Sequence, residues 1–232
     1  MNKKQTFKFI FLISFFIFFI TCCSIQEENS KTIQDKTDEE ISFIEDEIFT
    51  IVNKYIKGEY TDDAGGIKWE DVNKEVQNLN SALDTIMLDL SEFDISNDEL
   101  IKLRNEINNL SISVTSKDDY NLLQKSSYIY SLLPTYTEKY SQDKNKIDNM
   151  KLKSLILSCM VQANFLEWDS AKNTAGLAET KYKEMMDNVY YMKEYSYNLN
   201  KVYILIGEFK NAIDLEELEL AKQKYINFIE KF

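Results

Sequence analysis

Between residues 41 and 55 the apolar side chains Ile41, Ile44, Ile48, Ile51, Val52 and Tyr55 return at intervals of three and four. That spacing lines one face of an α-helix and leaves the opposite face polar. The pattern continues with little interruption to the end of the chain. A single proline (Pro134) and five glycines punctuate 232 residues, and alternating apolar–polar runs of the kind that build strands are scarce. Beyond the first stripe, helices are expected near 67–91, 97–113, 117–140, 145–166, 168–192, 196–212 and 214–231. Thr37 with Glu40, Ser96 with Glu99 and Ser116 with Asp119 each have the spacing of a capping box. The clearest break is "GEYTDDAGG" at 58–66.

The helices repeat. "KWEDVNKEVQNLNSALDTIM" (68–87) lies over "EWDSAKNTAGLAETKYKEMM" (167–186) at an offset of 99. Trp69 then falls on Trp168, Glu70 on Asp169, Val72 on Ala171, Val76 on Ala175, Leu83 on Tyr182 and Met87 on Met186. Further on, "KDDYNLLQKSSYIYSLL" (117–133) lies over "LEELELAKQKYINFIEK" (215–231) at 98, pairing Asp119 with Glu217 and Tyr130 with Phe228. Upstream, "FIEDEIFTIVNKYI" matches "MKLKSLILSCMVQANF" in character. Self-similarity at a fixed period marks stacked units that cover one another's apolar faces. The expected fold is therefore all-α: a bundle or array of about eight helices built from two four-helix repeats, 39–141 and 142–232. The two tryptophans open equivalent helices and read as packing anchors.

Ahead of the repeats come Lys3, Lys4 and Lys8, then the apolar run "FIFLISFFIFFI" (9–20), then Thr21, Cys22 and Cys23. A positive start, an apolar core of about a dozen residues and small residues after it describe an export signal. The run falls short of the roughly twenty residues that span a bilayer. "ITCC" has the form of a lipobox with Cys23 as the lipidated thiol. The alternative acceptor, Cys22, would put Phe19 and Ile20 at two of the three preceding positions. Two acyl chains give lasting anchorage where one does not, and neighbouring cysteines rarely meet disulfide geometry. The expected organisation is a lipoprotein signal peptide at 1–22 and a disordered polar tether at 23–38, since "SIQEENSKTIQDKTD" cannot bury enough surface to fold. The expected location is the extracytoplasmic face of a cell membrane, with the membrane itself a partner through the lipid.

Loss of residues 1–22, with their three lysines, would take the net charge from −12 to −15. That balance speaks against nucleic acid, which calls for a basic face. The tryptophan-opened helices a hundred residues apart, "KDDYNLLQKSSYIYSLLPTY" and the lipobox together resemble a group of Firmicute lipoproteins of two tandem helical repeats. No activity is assigned to that group, so the resemblance carries over no catalytic residues. "NVYYMKEYSYN" departs from it where plainer helix formers are expected.

The chain has no histidine. Ser–His and Cys–His nucleophiles, most zinc sites and the Glu-x-x-His pairs of di-iron bundles are thereby removed. No phosphate-binding glycine loop and no EF-hand spacing is present, so neither cofactor nor metal is expected. Cys159, on an apolar helical stretch, reads as a buried small hydrophobe. Glu70 and Asp169 are the one carboxylate pair worth testing for acid–base chemistry, and first-turn acids have an ordinary structural role. The expectation is a protein that is not an enzyme. Tyr190, Tyr191, Tyr195, Tyr197 and Tyr203 crowd one stretch and occupy more than one helical face, so some must face solvent. Exposed tyrosines suit recognition, here of a peptide, glycan or protein partner. The sequence thus favours a lipid-anchored helical interaction module, with a small-ligand receptor holding a pocket between the helical halves as the alternative.

Overall fold

The computed structural model describes residues 33–187 and 196–232. Two compact units divide the chain, Met1–Glu39 and Glu40–Phe232. In the first, the described residues 33–39 are helical, and the Thr37 hydroxyl donates to the Ile33 carbonyl at 2.8 Å. Thr37 is therefore inside a helix rather than capping one, and the described helix takes in the last six residues of the expected tether, 33–38. The expected signal peptide and the rest of the expected tether, 1–32, lie outside the described residues.

Among the described residues eight helices follow one another: α1 (33–56), α2 (Trp69–Ser91), α3 (Asn97–Ser116), α4 (Asp119–Tyr140), α5 (Lys144–Asn164), α6 (Trp168–Asp187), α7 (Ser196–Asp214) and α8 (Leu218–Ile229). Among the described residues no strand forms. From α2 to α8 each helix packs on the next, and α5 also packs on α8. Connections of two or three residues after α3, α4, α5 and α7 make successive helices antiparallel neighbours. Helix α1 is central, with Ile41, Ile44, Ile48, Ile51 and Val52 fully buried. Tyr55 of the same stripe is half-buried and donates its hydroxyl to Asp119 Oδ2 at 2.5 Å.

The 99-residue register runs through both halves in the buried positions. Val72 and Ala171, Leu79 and Ala178, Leu83 and Tyr182, Ile107 and Ile206, and Leu110 and Phe209 are all at most 1% exposed. It also extends through the last helix pair, where an offset of 98 was expected. The cap geometry decides this: Leu122 N–H donates to Asp118 O, and Ala221 N–H donates to Glu217 O. Asp118, not Asp119, is thus the counterpart of Glu217, and Ile129 that of Phe228.

Within each half lies a shorter period. Lys117, Leu166 and Glu216 are left-handed, with φ of 57°, 61° and 59°, spaced 49 and 50 residues apart, which together make the 99. Each closes a helix in the same way. The N–H of the left-handed residue donates to the carbonyl three back (Val114, Ala163, Ile213), and the next N–H donates five back (Ser113, Gln162, Ala212). This is the Schellman arrangement, which satisfies carbonyls that a helix end leaves bare. Counted from the left-handed residue, the positions at −7 (Leu110, Cys159, Phe209), +5 (Leu122, Ala171, Ala221), +9 (Ser126, Ala175, Tyr225) and +12 (Ile129, Ala178, Phe228) are all buried. Each four-helix repeat is therefore two helical hairpins, and the array is a stack of four.

The capping expectations divide. Ser96 and Glu99 form the complete reciprocal box at the start of α3. Ser116 is instead the last residue of α3, its hydroxyl donating back to Ile112 O at 2.8 Å, and Asp118 caps α4 by accepting from Asn121 N–H at 2.9 Å. A carboxylate next to the Schellman turn outcompetes a hydroxyl still engaged by its own helix.

Candidate functional site

Of the five tyrosines expected at a binding surface, Tyr190, Tyr191 and Tyr195 lie outside the described residues. Tyr197 belongs to α7, but its side chain also lies outside them. Tyr203 is described, and it is 36% exposed. Its ring stacks on Tyr182 of α6, with centroids 6.3 Å apart and planes 16° from parallel. Tyr182 is itself fully buried, and that burial pushes its phenol up to about 12. Glu179 accepts from Lys183 at 2.6 Å, and its carboxyl is held below the usual range chiefly by the lysine. Tyr203 is thus partly exposed, with its ring supported by Tyr182. On the same two helices, Ile204 of α7 and Leu177 of α6 are more than half exposed.

Trp69 and Trp168 are the first residues of α2 and α6, half-buried against the core. Glu70 and Asp169 follow them and are exposed. Helices α2 and α6 do not pack as a pair, so the fold gives no support to an acid–base couple between these carboxylates. Cys159 is fully buried, its Sγ 3.2 Å from Ala171 O, and burial pushes the thiol up. A thiol so placed is protonated and inert. Among the described residues no three His, Cys, Asp or Glu side chains are arranged to hold a metal ion, and no helix is long and apolar enough to cross a membrane. Cys22 and Cys23 lie outside the described residues.

The structure also assembles a cluster that no sequence signal announced. The Tyr130 hydroxyl on α4 donates to Glu45 Oε1 on α1 at 2.6 Å, and Lys153 Nζ on α5 stands 3.6 Å from the same oxygen. Burial, with Glu45 beside it, drives the Tyr130 phenol far above its ordinary value. The Lys153 ammonium lies 5.8 Å from the ring centres of both Phe49 and Phe232. Along α1, Asn53 Oδ1 accepts from the Tyr225 hydroxyl of α8 at 2.7 Å. One face of α1 thereby ties together helices from both halves. Glu45, Tyr130 and Lys153 are too far apart in sequence for any local pattern to join them.

Comparison with protein families, with curated proteins and with solved structures gives no match to this chain.

Proposed function

We propose that this chain is a lipoprotein, fastened through Cys23 to the outer face of a cell membrane, and that its helical array is an interaction module for a peptide, glycan or protein partner. The observation that supports the reading is the stack of four hairpins itself. It spends its aromatic and aliphatic residues on burying one helix against the next, and it keeps its one mature thiol inert. Its carboxylates are dispersed over an acidic surface. Outward it presents long helical faces and the supported ring of Tyr203. Stacked hairpins of this kind offer extended surface rather than a catalytic cleft.

Two measurements test the reading separately. For the anchor, Cys23→Ser should abolish palmitate labelling and leave the precursor uncleaved, while Cys22→Ser should label normally. Labelling that survives in Cys23→Ser would refute it. For the module, a photo-crosslinking residue in place of Tyr203, in intact cells, should trap a discrete adduct that the same residue at exposed Leu88 does not. Identical patterns from both positions would remove the case for a binding surface there.

A further inference from the structure

We propose that the hollow where the two halves of the array meet, between the middle of α1 and the start of α5, binds a neutral hydroxyl-rich small molecule of the mono- or disaccharide class. This site is distinct from the Tyr203 surface and does not depend on the lipid anchor.

The hollow measures about 350 Å³ and is lined by Glu45, Asp143, Asn145, Lys146, Asn149, Met150 and Lys153. That volume lies at the lower end of those that hold small ligands. Its most informative group is Lys153. The side chain is 27% exposed, and the ammonium is steered by two phenyl faces and by Glu45. At 3.6 Å, Glu45 is an ion-pair partner beyond hydrogen-bond reach, and among the described residues Nζ has no hydrogen-bond acceptor. An ammonium held against two phenyl faces, with N–H donors engaged by no described protein acceptor and opening on a hollow, can donate to an acceptor oxygen.

The other groups narrow the ligand's chemistry. Two carboxylates and two ammoniums line the hollow, so it is formally neutral within a chain of net charge −12. An anion drawn to Lys153 would meet Glu45 and Asp143, and a cation drawn to those would meet Lys146 and Lys153. A hydroxyl both donates and accepts. One bridging Lys153 and Glu45 satisfies a donor-only and an acceptor-only group at once. Asn145 and Asn149 add amides of mixed character, and Asn145 Oδ1 is buried with no donor among the described residues. Neighbouring hydroxyls at fixed spacing on a rigid ring match this alternation of donors and acceptors.

The test is saturation-transfer difference NMR on the full-length chain, held in a detergent without a sugar headgroup. The probes are glucose, N-acetylglucosamine and maltose, with acetate as the anionic control. The hollow is open, so a dissociation constant on the order of 1 mM is expected. At least one saccharide should receive magnetisation. Lys153→Met, which keeps the stem between the rings, should abolish the transfer, and Asn149→Ala should weaken it severalfold. Circular dichroism checks that both variants stay folded, and Asn149→Ala decides the matter if Lys153→Met does not. No transfer to any saccharide at ten times that concentration would overturn the proposal. So would equal transfer in both folded variants, or displacement of the saccharide by acetate.

Discussion

The first hairpin of the array turns through twelve residues, 57–68, whereas the other three turn through two or three. The short turns close the helix before them by backbone alone, although Asp118 then caps α4 with its side chain. Two N–H groups return to helix carbonyls, and the side chain at the left-handed position is left to chance: Lys117, Leu166 and Glu216 have nothing in common. The long turn is built the other way. Asp62 Oδ1 accepts from Ala64 N–H and Gly66 N–H, Thr61 and Ile67 form an isolated antiparallel bridge, and Gly58 and Gly65 take the positive φ values of 72° and 82°. Here residue identity is prescribed. The contrast teaches that the hairpin stack derives its specificity mainly from the buried positions between turns, and that side chains shape the turn most fully in the first hairpin.

That view makes its strongest demand on the equivalent buried positions seven residues before each left-handed turn. Phe209→Ala should cost about 3–5 kcal/mol and Leu110→Ala about 2–5 kcal/mol. Cys159→Ala, which removes the smallest volume of the three, should cost least. Urea denaturation of the three variants measures the order. Equal costs would mean that the three hairpins do not share a packing site, and the shorter period would lose its energetic content.

The same contrast explains what could be read in advance. Ile41, Ile44, Ile48, Ile51 and Val52 were legible because helical periodicity registers burial directly, and Ser96–Glu99 because a reciprocal box needs only its two residue types. The 49- and 50-residue hairpin period was hidden, since left-handed turns closed by Lys, Leu and Glu carry no glycine to mark them. The register slip at Asp119 has the same cause: two acids stand side by side, and only the hydrogen bonds say which one caps α4. Of the candidate surface, Tyr203 was legible as an aromatic. Glu45 and Lys153 were not, because they meet only through the packing of α1 against α5.

Reciprocal substitutions at the two kinds of turn come next in size. Gly65→Ala meets no atom within 4 Å, so its cost is conformational, about 1–2 kcal/mol for a Cβ in the left-handed region. Leu166→Gly should run the opposite way and stabilise by up to about 1 kcal/mol, reduced by the freedom glycine adds to the unfolded chain. Thermal melts of the pair check the signs. If Leu166→Gly destabilises, then the leucine side chain, 61% exposed, is contributing something the backbone account omits.

Within the long turn, Tyr60 sharpens the comparison. It is 3% exposed and its hydroxyl is buried with no hydrogen-bond partner among the described residues. A buried hydroxyl without a hydrogen bond is a liability, so Tyr60→Phe should leave stability unchanged or raise it by up to about 1 kcal/mol. A clear loss in chemical denaturation would instead show that the hydroxyl has an occupied site in solution.

The smallest effect concerns the carboxylates beneath that turn. Burial, then the nearby Glu75, raises Glu47 above its ordinary value; Asn78 and Lys54 oppose the shift. Lys54 is itself committed to Glu75 at 2.7 Å, and Tyr60 faces Glu75, Asp71, Glu47 and Glu59. On the opposite side of α1 stand Asp119, Tyr130, Lys153 and Tyr225. A carboxyl raised in the folded state binds its proton more tightly there than in the unfolded chain. The resulting stabilisation is full below the unfolded value near 4.5 and is lost as pH rises through the folded value. Glu47→Gln, which fixes the neutral form, should therefore raise the melting temperature slightly at pH 7 and have no effect at pH 4. Gly65→Ala should give the same shift at both pH values, because its strain involves no proton. An advantage for Glu47→Gln that grows toward low pH would reverse the sign and place Glu47 under the control of Lys54.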